Sequence, residues 1–510
     1  MKNFRAIHLR RFSQIAFLFI FVALFLSAKD PFPTTIPPDL IMRIDPFAGL
    51  VVMIASRSWI AEFWPAVIIL IAGFLLARSF CGWVCPLGTI LDIWNRISKP
   101  GQRRGNSRWK YAILIGMLLL AVLSIQTSWV LDPLVIFTRT MALSLYPLCV
   151  WGLFAVLDAG VNLPVTEDMA FNLWNALQGW LLPLNAIQTG LLLTTLLLFI
   201  AILLMEKFGR RTWCRVICPL GALFGLIAHI APFGRKVDPE TCTSCELCGD
   251  NCRMGAIDEE DFYKTKRSEC ILCMECALVC PEKGQNFNWN YQAGGQEKLD
   301  LGRRRVFSAV GSSLLFGAIW RTQLHDRNID NYLIRPPGAV EEQHFLDLCL
   351  RCEECIKICS STGGCLQPSG FEYGIAGFWT PKALMREGYC EYSCTLCGQV
   401  CPSGAIKSLS EEVKKKRIIG LAYIDQFRCI PWEGGEDCIV CEEHCPTPIK
   451  AIQFESREGE PTKLPYVDRT ICIGCGICET KCPVMGESAI RIFQEGEQRE
   501  VIKVEYPEEP

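Results

Sequence analysis

Six runs of four closely spaced cysteines constrain this chain of 510 residues more than any other feature. The prevailing spacing is C-x2-C-x2-C-x3-C, and four of the runs are followed directly by proline, at Pro281, Pro402, Pro446 and Pro483. This is the bacterial ferredoxin pattern, in which three thiolates bind one [4Fe-4S] cluster and the fourth binds the neighbouring cluster. The runs therefore predict six [4Fe-4S] clusters, and a chain with six clusters is expected to transfer electrons.

Crossed ligation between neighbouring runs predicts six ligand sets, and ligation within single runs is the alternative for each pair. Cys252 is followed by Arg253 and Cys359 by Ser360, where proline is usual, and Cys365 could replace Cys359. In order, sets one to six are Cys242, Cys245, Cys248 and Cys280; Cys270, Cys273, Cys276 and Cys252; Cys349, Cys352, Cys355 and Cys401; Cys390, Cys394, Cys397 and Cys359; Cys429, Cys438, Cys441 and Cys482; and Cys472, Cys475, Cys478 and Cys445.

Disulfides and zinc are the other chemistries that so many cysteines could serve. The chain has 30 cysteines but is long and half hydrophobic, unlike a short secreted scaffold stapled by disulfides. Structural zinc usually takes two C-x2-C pairs that are a dozen or more residues apart, rather than four cysteines in one short run. Iron–sulfur ligation is therefore the favoured interpretation.

The first half of the chain carries apolar stretches near the length needed to cross a bilayer. Four are predicted spans, although the first could be a cleaved signal peptide with a weak cleavage signal near Ser27–Ala28. A further stretch, Leu134 to Leu157, is interpreted as re-entrant or packed helices on the outer face. The predicted spans are Phe12 to Ala28, Ile60 to Ala77, Tyr111 to Ile125 and Thr189 to Met205.

Positive charge predicts the orientation of these spans, because segments rich in lysine and arginine stay in the cytoplasm. Basic residues cluster before the first span, between Arg96 and Lys110, and between Lys207 and Arg215. The segment 126–188 has Arg139 as its single basic residue and is expected outside. We therefore expect a multi-pass protein of the bacterial inner membrane with a cytoplasmic N-terminus.

The membrane half contains an internal repeat, in which each unit has an Asp-Pro pair and ends in Cys-x3-Cys-Pro-Leu-Gly. Proline fits the first turn of a helix, so the cysteine before it is expected at a helix N-terminus, which favours thiolate. A further metal or iron–sulfur centre shared by the two motifs is predicted, with redox-active or structural thiol pairs as the alternative. The residues concerned are Cys81, Cys85, Cys214 and Cys218.

Asp45 and Asp132 are candidates for proton chemistry with quinol, and a turn followed by a helix start is the simpler interpretation of each Asp-Pro pair. No other catalytic residue is predicted.

Arg303 to Arg305 precede a short apolar run and look like a twin-arginine export signal within the chain. A fifth crossing is expected here, with a buried soluble helix as the alternative, so that sets one and two lie in the cytoplasm and sets three to six in the periplasm. The predicted domains are a membrane domain at 1–235, a cytoplasmic dicluster ferredoxin at 236–300, the crossing at 301–322, and periplasmic dicluster ferredoxins at 323–420 and 421–510. The predicted fold class is an α-helical membrane domain, with four spans in two repeats plus a fifth, joined to three α+β bacterial-type dicluster ferredoxin modules.

The membrane half, through its paired Cys-x3-Cys-Pro motifs and the runs from Cys242 to Cys280, resembles the NapH/MauN-type polyferredoxin membrane component of quinol dehydrogenases. The second half resembles the MauM/NapG-type periplasmic ferredoxin. Joining both halves in one chain departs from the usual two-protein arrangement, as does Ser360 in place of proline. The motifs of the second resemblance are Arg303–Arg305, Ile334-Arg-Pro-Pro-Gly-Ala339, Gly388-Tyr-Cys-Glu-Tyr392, Cys394–Pro402 and Cys438–Pro446.

The resemblance implies an electron carrier that takes electrons from quinol of the membrane quinone pool, with quinol dehydrogenase activity left open. The implied acceptor is a periplasmic c-type cytochrome or terminal reductase, and a cytoplasmic ferredoxin-like protein is the alternative donor. An iron–sulfur maturation or redox-sensing factor is the alternative function. The net charge of −2 without a basic stripe predicts no nucleic-acid partner, and no C-x2-C-H haem motif or nucleotide-binding glycine pattern occurs.

Overall fold

The computed structural model describes residues 2–32, 36–98, 101, 108–163, 166–177, 182–183, 190–258, 261–289, 303–325, 333–456 and 462–500. Arg103 and Arg104 of the second basic cluster lie outside these residues. The chain forms two compact units, which we call the N-terminal and the C-terminal unit. The N-terminal unit comprises Met1–Phe25, Asp39–Thr140 and Thr194–Trp320, and the C-terminal unit comprises Leu26–Pro38, Met141–Leu193 and Arg321–Pro510.

The N-terminal unit contains two groups of four helices in the same order, which is how the sequence repeat folds. In each group the first helix follows the aspartate of Asp-Pro, and the third carries the first cysteine of the motif. The fourth begins at the proline after the second cysteine, where the missing N–H costs no hydrogen bond. The groups are Pro46–Ser56, Trp64–Leu76, Ser79–Trp83 and Pro86–Ile97, and Pro133–Thr140, Leu192–Met205, Thr212–Val216 and Pro219–Ala228.

Aromatic side chains pack between these helices. Phe80 stacks on Phe224 with ring centroids 5.5 Å apart, and Phe137 contacts Phe21 at 4.9 Å. The other helices wholly or mostly in this unit are Lys2–Ser27, Leu40–Arg43, Trp109–Val122, Ser128–Leu131, Leu247–Asp250, Glu275–Val279 and Arg303–His325, with a 3-10 turn at Ala61–Phe63.

Two helical runs among the described residues are long and apolar enough to cross a membrane, Ala6–Ser27 and Pro133–Val161. The first coincides with a predicted span. The sequence predicts packed or re-entrant helices at 134–157. The structure instead has one helical run there, which includes a π-helical turn at Met141–Leu145. Helix length therefore supports two spans and not the predicted four or five. The remaining predicted crossings form the shorter apolar helices Ala61–Leu76, Trp109–Val122, Leu192–Met205 and Val306–Ala318.

Nested antiparallel strand pairs enclose the cysteine runs. In the last segment, β5 pairs with β8 and the hairpin of β6 and β7 lies between them in sequence. The first segment pairs β1 with β2 around a bridge between Ile257 and Thr265, and the middle segment encloses β3 and β4 with a bridge between Ala339 and Ile406. The strands are β1 Gly234–Val237, β2 Gln285–Asn288, β3 Leu366–Pro368, β4 Pro381–Ala383, β5 Leu421–Ile424, β6 Ile452–Ser456, β7 Lys463–Val467 and β8 Ile490–Phe493.

The C-terminal unit holds the segment after the first long helix through a buried lysine. Lys357 Nζ donates to the carbonyl oxygens of Leu26, at 3.3 Å, and Ala28, at 2.5 Å. The helices of this unit, besides the π-helical turn, are Tyr146–Val161, Glu167–Leu177, Glu342–Leu348, Glu354–Cys359, Gly374–Gly377, Leu396–Gln399, Glu411–Lys415, Ile430–Gly434, Val440–Glu443 and Ile477–Lys481, with a 3-10 turn at Phe371–Tyr373.

Candidate metal and redox sites

The backbone of the C-x2-C-x2-C runs repeats from one run to the next. The residues directly before and after the second cysteine have positive φ, which costs a non-glycine residue roughly 1–2 kcal/mol. Alternating right- and left-handed residues turn backbone N–H groups to one side and form an anion-binding concavity. Backbone N–H groups also reach the fourth cysteine of two runs, since the Ala256 N–H donates to the Cys252 sulfur at 3.2 Å and the Ile406 N–H donates to the Cys401 sulfur at 3.4 Å. The residue pairs with positive φ are Ser244 and Glu246, Leu272 and Met274, Arg351 and Glu353, and Gly474 and Gly476.

Three cavities in the C-terminal unit are each lined by the four cysteines of one crossed set. These cavities lie at sets three, five and six and are partly open to solvent. Cys401, Cys445 and Cys482 distinguish crossed from uncrossed grouping. Each of them lines a cavity together with three cysteines of the neighbouring run and not with those of its own run. Cysteines of neighbouring runs thus lie together at these three places, and their binding of shared clusters stays a prediction.

Crossed grouping also holds at set two, where the charge of Cys252 interacts with Cys270, Cys273 and Cys276. At set one the structure couples Cys242 with Cys248. Arg235 Nη2 lies 3.6 Å from the Cys248 sulfur. The assignment of Cys280 to set one stays a prediction.

Five cysteines meet at set four. Cys359 interacts electrostatically with Cys390, Cys394 and Cys397. Cys365 also interacts with Cys390 and Cys397. A hydrogen bond from Cys365 lowers the pKa of Cys359 to about 7. Both candidates for the fourth ligand therefore lie at the same place.

The cysteine sets have the chemistry that a [4Fe-4S] cluster requires. Burial raises the pKa of Cys441 and of Cys475 to about 12, so these thiols hold protons that cluster binding would release. Among the described residues no three His, Cys, Asp or Glu side chains are close enough to hold one metal ion. Four sulfurs around an apolar cavity suit a cluster whose irons bind separate thiolates.

The two residues that replace proline after a cysteine both make contacts that proline could not. The Arg253 guanidinium pairs with Asp92 at 2.9 Å and with Glu275. The Ser360 N–H donates to the carbonyl oxygen of Ile356 at 3.2 Å. Departure from the usual motif therefore has a structural cause at both positions.

Sets four and six are neighbours, although set five comes between them in sequence. The backbone N–H of Cys390 donates to the carbonyl oxygen of Cys475 at 2.8 Å. Arg386 reinforces this contact by donating to the carbonyl oxygens of Cys482, at 3.2 Å, and Val484, at 2.9 Å. The spatial order of the sets in the C-terminal unit is therefore three, four, six, five.

The paired C-x3-C motifs bring Cys81, Cys85, Cys214 and Cys218 together in the N-terminal unit. Their side chains are 4–7 % exposed, and their charges interact across the two motifs. The Cys218 sulfur accepts a hydrogen bond from the N–H of Gly221 at 3.2 Å, so it sits at a helix N-terminus as predicted. A metal or iron–sulfur centre at these four cysteines stays a prediction.

Two buried arginines join the motifs reciprocally. Arg211, three residues before Cys214, donates to the carbonyl oxygens of Cys81 at 2.7 Å and Gly88 at 3.0 Å. Arg78, three residues before Cys81, donates to the carbonyl oxygen of Cys214 at 3.3 Å. Reciprocal contacts of this kind are what a two-fold relation produces. Neither arginine is predicted from the sequence as part of the site, although an arginine at the same distance before both motifs is a visible signal.

Carboxylates neutralise both guanidinium groups. Asp92 accepts from Arg211 at 2.8 and 2.9 Å, and Glu269 accepts from Arg78 at 2.9 Å and from Lys110 at 2.6 Å. Buried charges of opposite sign require such pairing, because isolated charges are strongly destabilised in the interior.

The paired motif packs directly on the loop of set two. Trp83 Nε1 donates to the carbonyl oxygen of Leu272 at 3.1 Å, and a Cβ on Gly82 would lie 2.5 Å from the carbonyl oxygen of Ile271. The four thiols are therefore adjacent to the cysteines of set two.

Asp45 and Asp132 each begin a helix, as the simpler interpretation of Asp-Pro predicts. Asp45 Oδ1 accepts from the N–H groups of Phe47 and Ala48 at 3.0 and 3.1 Å. Asp132 Oδ1 accepts from Leu134 and Val135 at 2.8 and 3.3 Å. Both side chains are fully buried, and the two carboxyl groups interact with each other.

Comparison with known proteins identifies 4Fe-4S binding domains at residues 59–105 and 190–238, and a second 4Fe-4S binding domain type at 465–485. The first type covers both C-x3-C motifs, and the second covers the run that begins at Cys472. No solved structure matches the chain.

Among curated proteins, the ferredoxin-type protein NapG of Escherichia coli is 32 % identical over 202 residues, which cover 38 % of this chain and 85 % of NapG. The methylamine utilization ferredoxin-type protein MauM of Methylobacillus flagellatus is 30 % identical, covering 37 % of this chain and 79 % of MauM. The ferredoxin-type protein NapH of Haemophilus influenzae is 25 % identical over 311 residues, 56 % of this chain and 91 % of NapH. The chain therefore belongs to the NapG/MauM family of ferredoxin-type electron-transfer proteins, as a NapH/NapG-type fusion.

Proposed function

We propose that this protein carries electrons from membrane quinol, through six [4Fe-4S] clusters, to a periplasmic c-type cytochrome or terminal reductase. The observation that carries the proposal is the grouping of cysteines from neighbouring runs around buried cavities, as at sets three, five and six. Clusters at such sites supply one-electron oxidation and reduction. The residues of the chain hold the clusters, exclude water and bring successive sets together.

The order of the sets supports a directed path. In the N-terminal unit the paired cysteine motif touches the loop of set two, and the short helices of sets one and two, Leu247–Asp250 and Glu275–Val279, contact each other. In the C-terminal unit sets four and six share the hydrogen bond between Cys390 and Cys475. We infer that set five is the last in the C-terminal unit and faces the acceptor.

We propose that the protein lies in the inner membrane, with its N-terminus in the cytoplasm and its C-terminal ferredoxin segments in the periplasm. Two helices of sufficient length and the basic residues before the first of them support this arrangement. Reporter fusions at the two ends of the chain test it, and activity of both reporters on the same side would contradict it.

The four thiols of the paired motif are proposed to form a further centre, either a metal or iron–sulfur centre or a pair of redox-active dithiols. Their burial beside set two supports electron exchange with that set. Replacement of Cys85 and Cys218 by alanine distinguishes a role in electron transfer from a role in the maturation of a partner enzyme. Loss of electron flow with a fully assembled partner enzyme is expected, whereas an unassembled partner would indicate a maturation factor.

Asp45 and Asp132 are proposed to accept protons during quinol oxidation. Two carboxyl groups that interact in the interior favour a state in which they share a proton, because two buried like charges repel strongly. Such a pair can accept one further proton. Quinol oxidation releases two protons together with two electrons, and the iron–sulfur clusters are the one-electron acceptors.

The direct test adds a menaquinol analogue to the anaerobically purified protein. Reduction of the clusters is measured as the loss of the visible absorption of the oxidised clusters. Reduction is expected, and the Asp45→Asn and Asp132→Asn variants should be reduced more slowly by quinol but normally by dithionite. Absence of reduction by quinol, together with fast reduction by a cytoplasmic ferredoxin, would reject quinol as the donor. A colourless anaerobic preparation would reject the clusters themselves.

A further inference from the structure

Cys365 is a buried cysteine that neither the six runs nor the paired motifs include. Of the 30 cysteines, Cys149 and Cys365 lie outside these motifs. Cys149 is exposed, but Cys365 is 3 % exposed and lies beside Cys359. Set four is therefore a site with five sulfurs, where a cluster needs four ligands.

The loop from Cys359 to Cys365 is held in place by backbone contacts on both sides. The N–H of Gly364 donates to the carbonyl oxygen of Cys359 at 2.9 Å, and the N–H of Leu384 donates to that of Cys365 at 2.8 Å. Gly363 accepts from the N–H of Tyr389 at 3.0 Å, and a Cβ on Gly363 would lie 1.8 Å from the carbonyl oxygen of Tyr389. This close approach fixes the loop against the residue that precedes Cys390.

Ser360 is what allows the loop to take this path. Its N–H continues the hydrogen bonding of the helix Glu354–Cys359, and the N–H of Thr362 donates to the carbonyl oxygen of Cys359 at 3.0 Å. A proline at this position would remove the first of these bonds. The Thr362 hydroxyl then lies 3.7 Å from the Cys394 sulfur, so the loop covers set four.

We propose that Cys359 and Cys365 are alternative ligands of the same iron in the set-four cluster. Cys359 is the resting ligand, because it is the fourth cysteine of its run and interacts with all three other cysteines of set four, whereas Cys365 interacts with Cys390 and Cys397. Cys365 takes its place when the Cys359 thiolate is lost. The Cys365 thiol would then give its proton to solvent as its sulfur binds the iron, and no electrons would be transferred.

This inference rests on the proposed function only in that set four binds a cluster. A site with an alternative ligand keeps its cluster after damage to one thiolate, which would protect the position that connects the middle segment to set six. The clusters at sets three and five, whose cavities contain only their own four cysteines, lack this protection.

The test is the iron content and EPR spectrum of anaerobically purified alanine variants of the full chain. Alanine is used because a serine hydroxyl could itself bind iron. Cys359→Ala and Cys365→Ala should each keep the iron-to-protein ratio of the unsubstituted chain, and the double variant should lose the iron of one cluster. The EPR signal of the set-four cluster should shift in Cys359→Ala, because the new ligand comes from a different position of the backbone.

Cys401→Ala is the matched control, since Cys401 is also the fourth cysteine of its run and has no spare cysteine lining its cavity. It should lose one cluster by itself. Loss of a cluster from Cys359→Ala would overturn the proposal, as would loss from Cys365→Ala or full retention by the double variant. If the double variant does not fold, the single Cys359→Ala variant still decides. A complete absence of iron in the unsubstituted chain would instead contradict the proposed function.

Discussion

At the scale of single residues, Arg78 and Arg211 connect the two halves of the paired cysteine motif. Each is fully buried and reaches across to backbone carbonyl groups of the other half. Neither guanidinium would be stable there without Glu269 and Asp92, because an unpaired buried charge is costly. These residues therefore act as a unit that holds four thiols in place.

Replacement of Arg211 by methionine should destabilise the protein by about 3–5 kcal/mol, because Asp92 would lose its strongest partner in the interior. Thermal unfolding of the solubilised protein measures this effect. The control is Arg210→Met at the exposed neighbouring position, where a change of about 0.5 kcal/mol or less is expected. Equal unfolding temperatures for the two variants would show that the buried pair contributes little.

At the scale of secondary-structure elements, short helices and loops carry the ligands, and glycine allows them to approach closely. The helix Ser79–Trp83 lies against the loop that contains Cys270 and Cys273. Gly82 is the point of contact, since any side chain would meet the carbonyl oxygen of Ile271. The paired motif and set two therefore depend on one small residue for their contact.

Replacement of Gly82 by alanine should cost about 1–3 kcal/mol through overpacking and should broaden the EPR signal of the set-two cluster. Gly152→Ala is the control, because Gly152 is an exposed helical glycine with no atom within 4 Å of an added Cβ. That change should be neutral or stabilise the helix by up to about 1 kcal/mol. An unchanged signal and stability in Gly82→Ala would mean that the loop moves freely to make room.

At the scale of the whole molecule, the sets in the C-terminal unit are not arranged in sequence order. Set six lies next to set four through Cys390 and Cys475. Electrons that enter at set three are therefore expected to reach set five only after set six.

Loss of set six should therefore isolate set five, whereas loss of set five should leave the other sets reducible. Cys478→Ala and Cys441→Ala remove one ligand from set six and set five respectively. Rapid-freeze EPR during reduction by the donor should lack the signal of a reduced set-five cluster in Cys478→Ala, whereas Cys441→Ala should still show the signals of the other reduced clusters. Equally fast reduction of set five without set six would contradict this order.

The sequence by itself determines the local parts of the molecule: the crossed sets grouped at Cys401, Cys445 and Cys482, and the helices that start at Pro86 and Pro219. These features depend on a few neighbouring residues, since cysteine spacing sets the backbone turns and proline starts a helix. Helix length, by contrast, does not reproduce the predicted spans beyond the first, because the helices at the later apolar stretches have only 10–17 residues.

Tertiary structure alone decides which distant parts meet. Three contacts are of this kind. Arg78 and Arg211 each donate a hydrogen bond to the other cysteine motif. Cys390 is hydrogen-bonded to Cys475, and Cys365 lies beside Cys359. No local spacing encodes them, because they arise from packing and from the need to pair buried charges and backbone groups. Spacing therefore predicts which cysteines can bind iron, whereas packing determines the order in which electrons can pass between them.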